Sequence, residues 1–337
     1  MKVALITGSY PPDVCGVAGY SHRLAQSLEH KGANVVVISG RQWKVSGVAA
    51  LNSEIKSIGA DVVHLQYPAT GFGRHLGPQL LSVLRPMVIT IHECSQTHLL
   101  RRLSLLPLAL RAQTVIFTNK YEQTYALRFV PWIRDCSAVI PIGTNVLPGE
   151  SETPKLPNLV TYFGLIRPQK GLEEVLHLAR LFKQRANGLA VRIVGTVLPG
   201  SEGYYAQLRN ASQDLPLQWV MDLDGDALSS ALAQTQVSYL PYPDGASERR
   251  GSLIAMLVNK AAILTTHGSH TPCILESAVQ FAESPVEAVE LAENLFNSPA
   301  LLNSMQRQSA ELSARFSWNS IAENHMAIYQ RLTNQAT

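Results

Sequence analysis

The chain has 337 residues, of which 46% are hydrophobic and 16% charged. It is too long for one ordinary core, which points to two domains, and too apolar to be a disordered chain. The net charge of +3 is uneven: residues 1–150 carry 14 Lys/Arg against 8 Asp/Glu, so +6, and the remainder carries 14 against 17, so −3. The two halves are therefore expected to meet different partners.

Met1–Thr7 is short and apolar and runs directly into a Gly/Pro loop. It reads as a buried first strand, not as a signal peptide. No apolar run approaches the ~20 residues that cross a bilayer, so a cytoplasmic protein is expected. Cys15, Cys94, Cys136 and Cys273 are scattered and lack Cys-x-x-Cys spacing, which argues for free thiols over a disulfide framework or zinc site.

In chain order, Val3–Thr7 is predicted as a strand and Gly19–Lys31 as a helix stopped by Gly32. Strands follow at Val35–Ser39, Val62–Gln66, Val88–His92, Thr114–Thr118 and Ala138–Pro141. Short β-branched runs separated by helical stretches describe a parallel sheet with crossover helices. Thr144–Pro157 is rich in Pro and polar residues and reads as a linker. The pattern then restarts, with strands at Leu159–Phe163, Ala190–Val194, Leu217–Val220, Val237–Leu240 and Ala262–Thr265. Helices are expected at Gly171–Arg185, Ser252–Val258, Pro285–Phe296 and Asn319–Leu332. The fold class is α/β: two doubly wound Rossmann-like domains facing a central cleft. The expected boundaries are 1–147, 148–316, and a C-terminal helix in 317–337 that packs back toward the first domain.

Three segments carry chemistry. The first is Gly8-Ser9-Tyr10-Pro11-Pro12-Asp13-Val14-Cys15-Gly16-Val17-Ala18-Gly19, between strand one and helix one. Gly16 and Gly19 allow close backbone approach, and a helix start offers free N–H groups to a phosphate. The spacing is not Gly-x-Gly-x-x-Gly, so an anion site and a plain strand–loop–helix turn both remain open. The second is Phe163-Gly164-Leu165-Ile166-Arg167-Pro168-Gln169-Lys170-Gly171-Leu172. Gly164 is expected to open a turn, and Arg167 and Lys170, three apart before a helix, suit a diphosphate. Two solvated charges are the plainer alternative. The third is Leu240–Leu253, a Pro/Gly loop holding Glu248 before a helix that starts near Gly251-Ser252. Its amides can meet phosphate while Glu248 meets sugar hydroxyls; a solvated loop is the alternative.

Other features are less directed. His92 follows a strand, where a lone His is more often structural. His267-Gly268-Ser269-His270-Thr271-Pro272-Cys273 lacks a zinc spacing, and no metal site is expected. Neither a Gly-x-Ser-x-Gly elbow nor a His-Glu-x-x-His helix is present. Leu99–Arg111 is apolar and bounded by Arg, which fits either an anionic membrane surface or a core helix kinked by Pro107. Gly71-Phe72-Gly73-Arg74 follows a strand and is expected to shape an acceptor pocket.

Taken together, the chain resembles the retaining family 4 glycosyltransferases of the GT-B fold over nearly its whole length. The resemblance is carried by the Pro-Pro…Gly16 loop, Thr90-Ile91-His92-Glu93, Ile140-Pro141-Ile142-Gly143-Thr144-Asn145, Gly164…Arg167…Lys170-Gly171 and Glu248…Gly251-Ser252-Leu253. It implies sugar transfer with retention from a nucleotide-diphosphate sugar to a hydroxyl acceptor. That acceptor would be a glycan, lipid-linked or small molecule, in cell-envelope polysaccharide synthesis, with peripheral contact to the inner membrane face. The donor is a co-substrate; no bound cofactor, metal or nucleic acid is expected. By resemblance, Arg167 and Lys170 hold the diphosphate and Glu248 the donor sugar. The amides of Arg250, Gly251, Ser252 and Leu253 touch sugar and phosphate. Gly16 and Val17 lie beside the diphosphate, and His92 contacts the transferred sugar. One departure stands out: the family's second Glu, eight residues after the first, is replaced by Met256, beside Ala255, and no carboxylate occurs between Glu248 and Glu276. A nucleotide-sugar epimerase on the same architecture, or a non-catalytic donor-binding relative, is therefore kept as an alternative.

Overall fold

The computed structural model describes residues 1–13, 15–95, 102–146, 148–150 and 153–334. Leu99, Leu100 and Arg101 of the predicted apolar stretch lie outside the described residues, as do Val14 and, in the predicted linker, Leu147, Ser151 and Glu152. The chain forms two compact units, Met1–Gly143 joined by the segment from Phe316 onward, and Thr144–Arg315.

Unit 1 is a six-stranded parallel sheet in the order β2-β1-β3-β4-β5-β6. Its strands are β1 (Lys2–Thr7), β2 (Asn34–Ile38), β3 (Val62–Tyr67), β4 (Met87–Ile91), β5 (Ala112–Phe117) and β6 (Ser137–Val139). Its helices are α1 (Gly16–His30), α2 (Val48–Ile58), α3 (Gly77–Leu84), α4 (Leu105–Leu110) and α5 (Lys120–Ala126). The period of two in a strand sorts the core. Ala4, Ile6, Val63, Leu65, Ile89 and Ile91 face a layer built from α2, α3 and α4. Val3, Leu5, Val62 and Val88 face α1 and the last helix of the chain, through Leu24, Ile321 and Tyr329. That helix, Trp318–Asn334, thus completes the core of unit 1.

Helix α1 starts at Gly16, one turn earlier than the expected Gly19, so Gly16 and Val17 form its first turn. Pro107 lies inside α4. Leu105, Leu108 and Ala109 are buried there, whereas Leu103, Leu106 and Leu110 are exposed. Among the described residues no helix is long and apolar enough to cross a membrane.

Unit 2 repeats the architecture in the order β12-β11-β10-β7-β8-β9, again with parallel pairing throughout. The strands are β7 (Leu159–Ile166), β8 (Ala190–Val197), β9 (Leu217–Met221), β10 (Val237–Leu240), β11 (Ala262–Thr265) and β12 (Val279–Phe281). The helices are α6 (Leu172–Arg185), α7 (Glu202–Ala211), α8 (Gly225–Ala233), α9 (Gly251–Val258), α10 (Pro285–Asn297) and α11 (Pro299–Ser313). The last helix, Trp318–Asn334, is α12. Within unit 2, α6 packs on α10, and α9 on α11. The strand order reverses between β7 and β10, and in open α/β sheets ligands bind beyond the strand C-termini at such a switch point.

Candidate functional site

At the switch point of unit 2, the loop leaving β7 meets the loop leaving β10. Gly171, at φ +76°, caps α6. A Cβ on it would fall on the carbonyl oxygen of Pro241 and 3.0 Å from the Pro241 Cγ. Only glycine permits both the left-handed backbone and this approach. Arg167 and Lys170 are thereby held beside the segment Pro241–Arg250, each partly buried. Lys170 is held below the ordinary lysine range, first by burial, then by the like charges of Arg167 and Arg250, with Asp244 opposing. Arg250 is thus a third cation of the cluster. Its guanidinium lies 4.8 Å from the Tyr242 ring centroid and pairs with Asp244, while its buried Nε has no partner among the described residues.

The sequence reading valued Arg250 for its amide and missed its side chain. The aromatic Tyr242 eight positions earlier is the one cue that was available, since arginine stacks on such rings. Tyr242 is itself fixed by a 2.7 Å hydroxyl–hydroxyl hydrogen bond with Ser252.

Arg250 is the N-cap of α9. The first amides of a helix lack intrahelical acceptors, so Gly251, Ser252 and Leu253 present N–H groups and the positive dipole end at this point. Gly251 is exposed, and a Cβ there would meet nothing within 4 Å. Protein packing does not require glycine there, unlike at Gly171; what glycine leaves at 251 is open space. Glu248, two residues before the cap, is 8% exposed. Burial raises its carboxyl above the usual range, and the charge of Arg315 opposes that rise. The loop holding it is braced from behind by the segment after β11. Gly245 at φ +87° abuts Gly268, Ala246 N–H donates to Thr266 O at 2.9 Å, and the Thr271 hydroxyl donates to Ala246 O at 2.8 Å. This bracing accounts for part of the His267–Cys273 segment. Among the described residues no group of three His, Cys, Asp or Glu is placed to hold a metal ion.

Gly164 does not open a turn. It lies inside β7, paired with Gly195 of β8. A Cβ on Gly164 would sit 2.9 Å from the Tyr162 hydroxyl, which donates to Lys170 O at 3.3 Å. Gly164 makes room for a side chain that steadies Lys170. Met256 is fully buried in the middle of α9, as is Ala255.

In unit 1 Gly8 and Ser9, leaving β1, pack on the segment after β3. A Cβ on Gly8 would lie 2.6 Å from Phe72 N, and Gly71 N–H donates to Ser9 Oγ at 2.8 Å. Gly71 and Phe72 are thus the floor of the loop leaving β1. Gly16 is exposed with open space around it, and Val17 follows it into α1. One turn along α1, the Tyr20 ring meets the His92 ring edge-on at 4.8 Å. His92 stands just past β4 and is partly buried. Its amide donates to Tyr67 O at 2.8 Å and its carbonyl accepts from Thr118 at 3.2 Å. Burial, aided by the charge of His325, pushes its pKa down to about 3. The next turn of chain is pinned by Glu122, whose buried carboxylate accepts from Cys94 N (2.8 Å), Ser95 N (3.0 Å) and Ser95 Oγ (2.6 Å). Unit 1 therefore gathers Gly16, Val17 and His92 at one end of its sheet, and unit 2 gathers Arg167, Lys170, Glu248 and Arg250 through Leu253 at the matching end of its own.

No family model matches the sequence, and no curated protein matches it. Solved structures do. The chain is similar to a glycosyltransferase from Rickettsia africae, with a TM-score of 0.76 at 13% identity over 98% of each chain. It is similar to sucrose-phosphate synthase from Thermosynechococcus elongatus, with a TM-score of 0.70 at 16% identity over 99% of this chain and 100% of that one. Anabaena HepE, solved in complex with UDP and glucose, matches with a TM-score of 0.70 at 13% identity over 98% of this chain and all of its own. The fold defined by the two parallel six-stranded sheets is GT-B.

Proposed function

We propose that the protein is a glycosyltransferase that binds a nucleotide-diphosphate sugar through unit 2. The supporting observation is the convergence, at the β7/β10 switch point, of Arg167, Lys170 and Arg250 with the amide end of α9. Among the described residues, Asp244 is the one carboxylate seen paired with these three cations, through Arg250; a diphosphate would supply the missing negative charge. UDP is the first nucleotide to try, because HepE is a structural neighbour solved with UDP and glucose.

In this reading the sugar–phosphate bond breaks and its electron pair leaves with the diphosphate oxygen. Arg167, Lys170 and the α9 dipole stabilise that developing charge more in the transition state than in the ground state. The acceptor hydroxyl attacks the anomeric carbon from the leaving-group face, so configuration is retained, and its proton passes to the departing phosphate. Glu248 accepts hydrogen bonds from the donor sugar, and His92 contacts a hydroxyl of the sugar being transferred. Gly16 and Val17 leave room for the diphosphate. The test is thermal stabilisation by UDP-, GDP-, ADP- and TDP-sugars, followed by donor consumption in Arg167→Ala and Lys170→Ala. Wild-type consumption in both variants would dismiss the reading.

A lipid-linked acceptor in polysaccharide synthesis and a peripheral membrane contact belong to the same proposal. Leu106, Leu110 and Trp132 are exposed on unit 1, Trp132 donating to Ala109 O at 3.4 Å, near Arg111. Such a surface suits an anionic bilayer. Pelleting with anionic vesicles that Leu110→Ser and Trp132→Ala leave undiminished would remove this part. A non-catalytic donor-binding relative is the second reading, favoured by the buried Met256. It predicts nucleotide-dependent stabilisation with no turnover on any acceptor.

A further inference from the structure

The sheet face beneath α1 and α12 turns polar toward its C-terminal end. On β3 the inward series is Val62, His64, Gln66, and on β4 it is Val88, Thr90, then His92 just beyond, in register with β3. His64, Gln66 and Thr90 are all fully buried. Buried polar groups persist where they are hydrogen-bonded to one another, and these form a continuous chain. The Tyr329 hydroxyl lies 2.6 Å from His64 Nδ1. His64 Nε2 lies 2.8 Å from the Thr90 hydroxyl and 3.1 Å from Gln66 Nε2. Gln66 Oε1 lies 2.9 Å from His92 Nε2.

Donor–acceptor logic makes the chain directional. An amide has one end that only donates and one that only accepts. With the Gln66 oxygen toward His92, His92 must carry its proton on Nε2. The Gln66 NH₂ then donates to a bare His64 Nε2, and His64 donates from Nδ1–H to the Tyr329 oxygen. His92 Nδ1 is left as an acceptor with no partner among the described residues. Protonation of His64 at Nε2 would set donor against donor and break the sequence, and burial disfavours the charged form of both rings.

We propose that Gln66 and His64 are positioning residues that fix His92 as the neutral Nε2–H tautomer, with Nδ1 free to accept from a sugar hydroxyl, and that Tyr329 of α12 anchors the far end of the chain by accepting from His64. The catalytic meaning rests on the reading of His92 given above; the tautomer assignment does not. It also gives the C-terminal helix a role beyond core packing. α12 follows all of unit 2 in sequence, yet supplies the terminal acceptor.

The experiment is long-range ¹H–¹⁵N correlation on protein labelled at the histidine imidazoles, at pH 7, with His92→Asn used to assign the signal. The wild type should show His92 protonated at Nε2. In Gln66→Met, which keeps the volume but loses both ends of the amide, the two tautomers should mix. In Gln66→Glu, which keeps an acceptor toward His92, Nε2–H should return. Tyr329→Phe, remote from His92, should shift the population in the same sense as Gln66→Met. Protonation of His92 at Nδ1 in the wild type, or one unchanged tautomer in all variants, overturns the proposal. Should Gln66→Met fail to fold, Tyr329→Phe alone decides it. In turnover, Gln66→Met should lower kcat about tenfold with donor KM unchanged, and Gln66→Glu should restore most of it. Full activity in His92→Ala alongside the expected spectra would sink the sugar-contact reading while supporting the positioning chain.

Discussion

Replacing Gly171 by alanine separates two costs that usually come together. Gly171 and Gly188 have nearly the same φ, +76° and +71°. A Cβ at 188 meets nothing within 4 Å, whereas at 171 it lands on the Pro241 carbonyl oxygen and 2.9 Å from the Pro241 carbonyl carbon. The left-handed conformation costs an L-residue about 1–2 kcal/mol, which both variants bear. Only Gly171→Ala adds the displacement of backbone against backbone, about 1–3 kcal/mol by analogy with overpacked cores. Gly188→Ala should therefore destabilise by about 1–2 kcal/mol and Gly171→Ala by about 2–5. For a unit of this size each kcal/mol moves the melting temperature by roughly 2–4 °C, so the two should be resolved in thermal scans. The clash also pushes the β7–α6 loop away from the β10–α9 loop. Gly171→Ala should thus weaken stabilisation by a nucleotide-sugar, and Gly188→Ala should leave it intact. Equal melting temperatures for the two variants would refute the close-approach argument, and undiminished nucleotide binding in Gly171→Ala would refute its link to the site.

Arg167→Ala and Lys170→Ala should each lower donor turnover on the order of 10²-fold or more, read as donor consumed with acceptor saturating. Because Lys170 titrates below an ordinary lysine, activity should fall on the alkaline side earlier than a solvated lysine would allow. Arg250→Ala removes one of the like charges and should move that alkaline limb upward; an unmoved limb would detach Arg250 from the cluster. His325 is fully buried and depressed to about 4 by burial, with its Nδ1–H donating to Ile321 O at 2.7 Å. The unfolded chain takes up this proton near 6.5 and the folded one near 4, so its contribution is complete above pH 6.5 and is lost as pH falls toward 4. The slope is about 1.4 kcal/mol per pH unit for each such histidine, so urea midpoints measured from pH 7 to 4.5 should flatten in His325→Leu. Glu122→Ala leaves two amides and a hydroxyl without an acceptor; it should cost about 2–3 kcal/mol in denaturant titration and loosen the chain next to His92.

The repeated strand–helix alternation was legible in the residues themselves, because fully buried parallel strands such as Val3–Ile6 and Ala262–Leu264 are continuously apolar. The place of Arg167, Lys170 and Glu248 in the loops after β7 and β10 was legible too, as charges among Gly and Pro at strand ends; their role stays a proposal. Several elements were not visible: α2, α3, α5, α7, α8 and α11, and the edge strand β12. Their faces are largely polar or short, and only packing on the sheet selects them. Gly164 was misplaced because a glycine that lets two strands and a tyrosine crowd together reads, in sequence, like one that turns the chain.

What the sequence alone determined is every strand but β12, their burial, and the cations that follow them, because those depend on neighbours a few residues away. What only the tertiary structure decided is which distant groups meet. The strand order brings the loop after β7 to the loop after β10, so Arg250 joins Lys170 across 80 residues of chain. The return of α12 sets Tyr329 on His64, 265 residues away, and through Gln66 on His92. Such encounters are set by loop closure and sheet order, which no local pattern encodes.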